Sequence, residues 1–155
     1  VRETLFNWLG QDLGGMRCLD AFAGSGALGF EAASRGAARV LMVEHAARAV
    51  RQLRANQDKL GADQIEIVQA DARRLITTLP PGAFDVVFLD PPFASGWMND
   101  LLAPAARLLA PGGVIYAESD IALEDDALAV LDLACLRRAK AGAVHYHLLE
   151  SIPKT

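Results

Sequence analysis

The chain has 155 residues, 52% of them hydrophobic and 22% charged, with a formal net charge of -4. That composition suits one globular domain, residues 1–155, and excludes a bulk-cationic nucleic-acid binder, so any basic face must be local. No apolar run reaches the roughly 18 residues of a membrane span and no charged-then-apolar leader precedes Val1, which predicts a cytoplasmic protein without membrane contact.

Val1, Leu5, Trp8 and Leu9 recur at helical spacing and predict a short amphipathic helix over residues 1–9. After a turn at 10–15, residues 17–22 predict a first strand and 27–34 a helix stopped by Gly36. A second strand is expected over 39–44. Ala46, Ala49, Val50, Leu53, Gln57 and Leu60 then mark the buried face of a helix whose outer face carries Arg48, Arg51 and Arg54. Residues 65–69 predict a third strand, followed by Asp71 and a short helix through residue 79, before Pro80, Pro81 and Gly82 break the chain. The run at 84–89 is apolar on both faces, as a central parallel strand must be. Met98, Leu101, Leu102, Ala105, Leu108 and Leu109 share one side of a following helix, which Pro111-Gly112-Gly113 is expected to end, with a fifth strand at 114–118. Residues 120–131 read as helix, and 133–139 and 144–150 as strands too closely spaced for a crossover, hence an antiparallel pair at one edge. The alternation of strands and helices predicts a doubly wound α/β fold.

The stretch that organises the chain is 18–29, where an apolar strand runs into a glycine turn that opens a helix. Gly24 and Gly26 let the backbone bend and a ligand lie close, while the helix directs free N–H groups at the same spot. The spacing Gly24-x-Gly26-x-x-Gly29, with Glu44 ending the next strand, also fits a dinucleotide fingerprint. Asp20 weighs against that reading, because its carboxylate would face an approaching pyrophosphate. It would instead attract a phosphate-free cofactor with a cationic head, such as S-adenosyl-L-methionine.

In an open α/β sheet the ligand lies beyond the carboxyl ends of the strands. Asp20, Glu44, Asp71 and Asp90 all fall at such ends. Glu44 suits a bidentate grip on ribose hydroxyls and Asp71 an acceptor for an adenine amine; each acid could equally cap the helix that follows it. Asp90-Pro91-Pro92-Phe93 is a stiff loop whose two prolines lack N–H donors, leaving carbonyls that only accept hydrogen bonds. A conjugated amine attacks a methyl sulfonium poorly until such acceptors hold its N–H bonds and aim its lone pair. Asp90 and the Pro91 carbonyl could do so, with Phe93 stacked on the flat substrate.

Asp-Ala-Phe-Ala-Gly-Ser-Gly, followed about 65 residues later by Asp-Pro-Pro-Phe, resembles the amino-methyltransferases of the Rossmann-like class. The opening Val-Arg-Glu-Thr-Leu-Phe-Asn-Trp-Leu and the continuation Gly-x-Leu-Gly-x-Glu-Ala-x-Ser-Arg-Gly at 26–36 narrow the resemblance to the RsmD-like bacterial 16S ribosomal RNA guanine-N2 methyltransferases. The resemblance implies a mostly parallel seven-stranded sheet. It implies S-adenosyl-L-methionine against Asp20, Phe22, Ala23, Gly24, Ser25 and Gly26, with Glu44 at the ribose, Asp71 and Ala72 near the adenine, and Arg2, Glu3 and Thr4 in a segment that closes over the cofactor. His45, next to Glu44, could by its position touch the same ribose. It places Asp90, Pro91, Pro92 and Phe93 at the target amine, in a monomer acting on 16S rRNA within a small-subunit particle. The family also carries a basic N-terminal segment not seen before Val1, and the absence of an initiator Met reads as a chain cut from something longer, with weakened RNA binding expected.

Other signals are plainer. Cys18 and Cys135 read as buried thiols, His145 and His147 share a strand face but lack a third metal ligand, and Arg137, Arg138 and Lys140 form a charge run that could touch phosphate. No metal is expected. Three rival functions remain: an amino-methyltransferase of a protein glutamine or a DNA base, a nicotinamide oxidoreductase using Gly24, Gly26 and Gly29, and a non-catalytic RNA module.

Overall fold

The alternating apolar runs fold as a strand-helix series, seen in a computed structural model that describes residues 2–152. The elements are α1 (Arg2–Trp8), β1 (Arg17–Asp20), α2 (Ala27–Ser34), β2 (Arg39–Glu44), α3 (Ala47–Leu60), β3 (Ile65–Gln69), α4 (Ala72–Leu75), β4 (Phe84–Leu89), α5 (Met98–Arg107), β5 (Leu109–Ser119), α6 (Asp125–Val130), β6 (Leu133–Ala141) and β7 (Val144–Ser151). They build one seven-stranded sheet in the order β3-β2-β1-β4-β5-β7-β6. The first five strands in that order run parallel, and β7 pairs antiparallel with both β5 and β6. Strand order reverses between β1 and β4, so the carboxyl ends of these two strands open the crevice where such sheets bind ligands.

Period-two alternation splits the core into two layers. Leu19, Leu41, Val87 and Ile115 face Leu101, Leu102 and Leu128 of α5 and α6. Cys18, Val40, Met42, Val86, Phe88 and Tyr116 face α1, α2 and α3 through Leu5, Phe6, Ala32, Val50 and Leu53. Asp20 shares the parity of Cys18 and therefore points into the second layer, where it is 1% exposed.

Several boundaries differ from the expectations above. Val1 lies outside the described residues, and α1 buries adjacent Leu5 and Phe6 while Trp8 and Leu9 are only half-buried. Phe6 is held by Phe88, with ring centroids 6.2 Å apart, and by the Arg35 guanidinium 4.8 Å from its ring. The first strand stops at Asp20 because Ala21 N and Ala23 N donate sideways to Phe88 O and Val43 O, which pins the turn between two neighbouring strands. Leu60 is 65% exposed, since the last turn of α3 runs past the sheet before Gly61 ends it in a left-handed conformation. The helix after Asp71 ends at Leu75, where Thr77 and Thr78 hydroxyls bond back to the carbonyls of Arg74 and Leu75.

Pro111-Gly112-Gly113 does not end a helix. It lies inside β5, which begins at Leu109 opposite Phe84 and changes register before Val114 meets Val86. Gly82 N and Phe84 N take the carbonyls of Arg107 and Leu108, so α5 ends earlier and Leu109 leaves the helix. The helix predicted at 120–131 shrinks to α6 because the preceding loop is committed elsewhere: Leu123 N donates to His147 Nε2 at 3.1 Å. The Nδ1 of that histidine faces Ala117 O at 3.1 Å, making His147 a buried structural clip whose burial lowers its pKa. Among the described residues no group of acids, histidines and cysteines could hold a metal, and no helix is long and apolar enough to cross a membrane. Cys18 is fully buried, with burial and the nearby Asp85 and Asp20 pushing its pKa up to about 12, whereas Cys135 is only half-buried, contrary to expectation.

Gly26 shows why the turn needs glycine for packing as well as for ligand approach. Its φ is +86°, and a Cβ there would lie 2.5 Å from Phe30 and 2.7 Å from Leu53. Gly26→Ala is therefore expected to lower stability by about 2 to 4 kcal/mol, combining left-handed strain with overpacking. A denaturation midpoint equal to that of the parent would refute this.

Candidate functional site

The site grows from the carboxyl ends of β1, β2, β3 and β4. Glu44, the last residue of β2, uses both carboxylate oxygens locally: Oε1 accepts from Gly24 N at 3.1 Å and Oε2 from Ala46 N at 3.0 Å. The glycine turn and the start of α3 are thereby tied to one side chain that keeps 15% of its surface open. Each oxygen retains a lone pair for a further donor. His45 beside it is 82% exposed, with Nδ1 3.7 Å from Glu44 Oε2.

Asp71 caps α4, accepting from Arg73 N at 3.0 Å, and remains exposed enough to meet a ligand as well. Arg73 then turns back over Trp97, its guanidinium carbon 3.9 Å from the ring centre. Phe22 meets the same indole with centroids 6.0 Å apart. Trp97 is thus a wall braced by a cation from α4 and an aromatic ring from the turn after β1.

These residues enclose a cavity of about 320 Å³ lined by Phe22, Gly24, Glu44, His45, Asp71 and Ala72, along with Arg73 and Trp97. A Cβ at Gly24 would meet nothing within 4 Å, so this turn residue presents bare backbone. Asp20 lies beneath the turn rather than on the cavity wall, its Oδ2 accepting from Gly29 N at 3.1 Å. Burial pushes its pKa up to about 7, opposed by the Gly29 hydrogen bond and reinforced by the negative Glu44. Ala23, Ser25 and Gly26 belong to the turn without lining the cavity. Neither Arg2 nor Thr4 lines it; Arg2 points to Glu31, 3.9 Å away.

A second cavity of about 120 Å³ is lined by the whole Asp90-Pro91-Pro92-Phe93 loop, with Glu118 and Ile121 on its other side. Phe93 is 67% exposed, so the loop does not spend its aromatic ring on the core. Asp90, Pro92 and Trp97 line both cavities, which therefore meet at the end of β4. Desolvation, a hydrogen bond with Glu118 and repulsion from Glu118 and Asp20 push the Asp90 pKa up to about 8. A neutral Asp90 presents a carbonyl acceptor and an O–H donor together.

Four residues that the sequence reading passed over thus belong to the site. Trp97, Arg73 and Ile121 sit on loops and helix starts, where no periodicity singles them out. Glu118 carried a usable signal: it ends the strand predicted at 114–118, as other acids stand at the ends of theirs.

The chain matches the model of the family described as conserved hypothetical protein 95 over residues 1–150. It is similar to ribosomal RNA small subunit methyltransferase D of Escherichia coli strain K12, 38% identical over 153 residues, covering 97% of this chain and 76% of that protein. The protein of the same name from Haemophilus influenzae is 35% identical over 156 residues, covering 97% and 80%. Among solved structures, yhhF from Escherichia coli superposes with a TM-score of 0.86 at 35% identity, covering 99% of this chain and 85% of that one. A conserved hypothetical protein from Streptococcus pyogenes gives a TM-score of 0.83 at 30% identity, covering 96% and 94%. A two-cavity crevice at the β1/β4 switch point, the shared fold and a match along nearly the whole chain converge: this chain belongs to the RsmD family.

Proposed function

We propose that the protein is an S-adenosyl-L-methionine-dependent methyltransferase that modifies the exocyclic N2 of a guanine in 16S ribosomal RNA, presented within a small-subunit particle. The observation that carries this reading is the meeting of the two cavities at Asp90, Pro92 and Trp97. The larger cavity has the fittings of a nucleoside site without phosphates: a bare glycine turn, an acid with spare lone pairs at Glu44, a second at Asp71, and flat walls at Phe22 and Trp97. The similarity to proteins named for ribosomal RNA small subunit methylation supports the substrate class.

S-adenosyl-L-methionine, when bound, supplies an electrophilic methyl group on a positively charged sulfur. The chain's own task is to orient and dehydrate the amine. Asp90 accepts one N–H through its carbonyl oxygen and the Pro91 carbonyl accepts another, which aims the lone pair toward the larger cavity. Phe93, exposed at the mouth, stacks on a base taken out of its helix. Glu44 orients the ribose, and Asp20 beneath the turn adds a negative charge that favours a cationic ligand.

Small ribosomal subunits from cells lacking this modification, incubated with the enzyme and methyl-labelled cofactor, are expected to yield N2-methylguanosine on digestion of the 16S RNA. Label appearing in protein or at another base position would overturn the substrate assignment. Calorimetry should show binding of S-adenosyl-L-methionine and none of NAD; the reverse would overturn the cofactor.

A further inference from the structure

Three carboxyl groups line the smaller cavity, those of Asp90, Glu118 and Asp120, and only Asp90 has been given a task. Leu89 stands opposite Ala117 in the parallel β4/β5 pair, so Asp90 and Glu118 are the next residues in register, and their carboxyls act directly on one another. Both line the cavity that holds the Asp-Pro-Pro-Phe loop. Two apolar side chains that a folded domain would ordinarily bury, Phe93 and Ile121, are instead 67% and 61% exposed while lining the same cavity, as faces for a flat ring would be. Two residues back on the same face of β5 lies Tyr116, fully buried, whose hydroxyl makes no hydrogen bond of good geometry. Glu118 is the acid that acts on it most strongly.

A carboxylate only accepts hydrogen bonds. On the Watson–Crick edge of guanine the donor N1–H adjoins the N2 amine, whereas adenine and cytosine present a bare acceptor nitrogen beside their amines. We propose that Glu118 selects guanine, accepting N1–H while Asp90 and the Pro91 carbonyl hold the N2 amine; this rests on the guanine-N2 reading above. A bare ring nitrogen at that position would face the carboxylate lone pairs and leave both groups unpaired, a mismatch that polar sites discriminate strongly. Glu118 is thus a specificity residue, and the chemistry at N2 remains with the loop.

The test uses the full chain and small subunits reconstituted on RNA in which the methylated guanine, mapped by mass spectrometry of the wild-type product, is kept or replaced by 2-aminopurine. That analogue retains the N2 amine and has a bare N1. Wild-type enzyme is expected to prefer guanine about a hundredfold in kcat/KM. In Glu118→Gln the carboxamide can donate to a bare N1, so the preference is expected to fall below tenfold through a gain on 2-aminopurine. S-adenosyl-L-methionine affinity should stay within about threefold, because Glu118 does not line the larger cavity. An unchanged preference in Glu118→Gln overturns the inference. So does equal use of the two bases by the wild type, a result that stands even if the variant folds poorly. Absence of any methylation of guanine by the wild type would instead sink the proposed function itself.

Discussion

Replacing Asp20 by Asn is expected to weaken S-adenosyl-L-methionine binding about ten- to hundredfold at pH 8 while making the free protein more stable. Both effects follow from one buried carboxyl. Its pKa is raised from 3.8 to about 7 by burial, so the folded state binds a proton more tightly than the unfolded chain. The stability linked to that proton is fully present below the unfolded value and is lost as pH rises through about 7. At pH 8 the folded protein carries a charge it holds poorly, and Asn removes a penalty on the order of 4 kcal/mol. A cationic ligand above the glycine turn reverses the preference, because it favours ionised Asp20 by charge-assisted attraction. Wild-type affinity should therefore rise between pH 6 and pH 8, with a proton released on binding, and the Asn variant should show a flatter profile. The comparison is made in a His45→Gln background, because that exposed imidazole lines the same cavity beside Glu44. Calorimetry in buffers of different ionisation heat measures both affinity and proton release. Identical profiles for the two chains would separate Asp20 from the cofactor.

Asp90→Ala is expected to cut turnover at least a hundredfold, the scale of losing an oriented acceptor at the reacting atom, with cofactor affinity changed only a few fold. The informative companion is Asp90→Asn. A neutral carboxylic acid and a carboxamide both present a carbonyl acceptor and a donor, and the donor in either case can meet Glu118. Desolvation and the neighbouring Glu118 raise the Asp90 pKa, and its protonated form resembles such an amide. The Asn variant should keep turnover within about tenfold of the parent. Parent-like turnover in the Ala variant would remove Asp90 from amine alignment, and an Asn variant as slow as Ala would show that the ionised acid is required. Phe93→Ala should mainly raise KM for the RNA substrate, since its exposed ring contacts only what enters the cavity.

The fold and the core of the site were legible because they depend on local chemistry. Apolar runs at 39–44, 65–69 and 84–89 specify strands whatever surrounds them, and the observed bounds of β2, β3 and β4 coincide with those runs. The glycine turn and the double proline constrain backbone angles directly, so their positions could be read without neighbours. Acids at strand ends were legible for the same reason, since strand direction alone carries them to one rim.

What depended on partners distant in sequence was not legible. Pro111-Gly112-Gly113 reads locally as a helix stop, yet capture of the Arg107 and Leu108 carbonyls by Gly82 and Phe84 ends α5 sooner and draws the tripeptide into β5. Residues 120–124 have helical composition, yet one imidazole 24 positions away holds Leu123 N and keeps them out of the helix. Asp20 is the clearest case. Its place after the strand was evident, but period-two alternation within a sheet covered on both faces carries its side chain beneath the turn, against Gly29 N. Only the packed structure shows that its charge acts on the crevice from below. The pairing of Asp90 with Glu118 is likewise a matter of β4 and β5 lying side by side in a particular register, a relation that residues 28 positions apart acquire only when the sheet assembles.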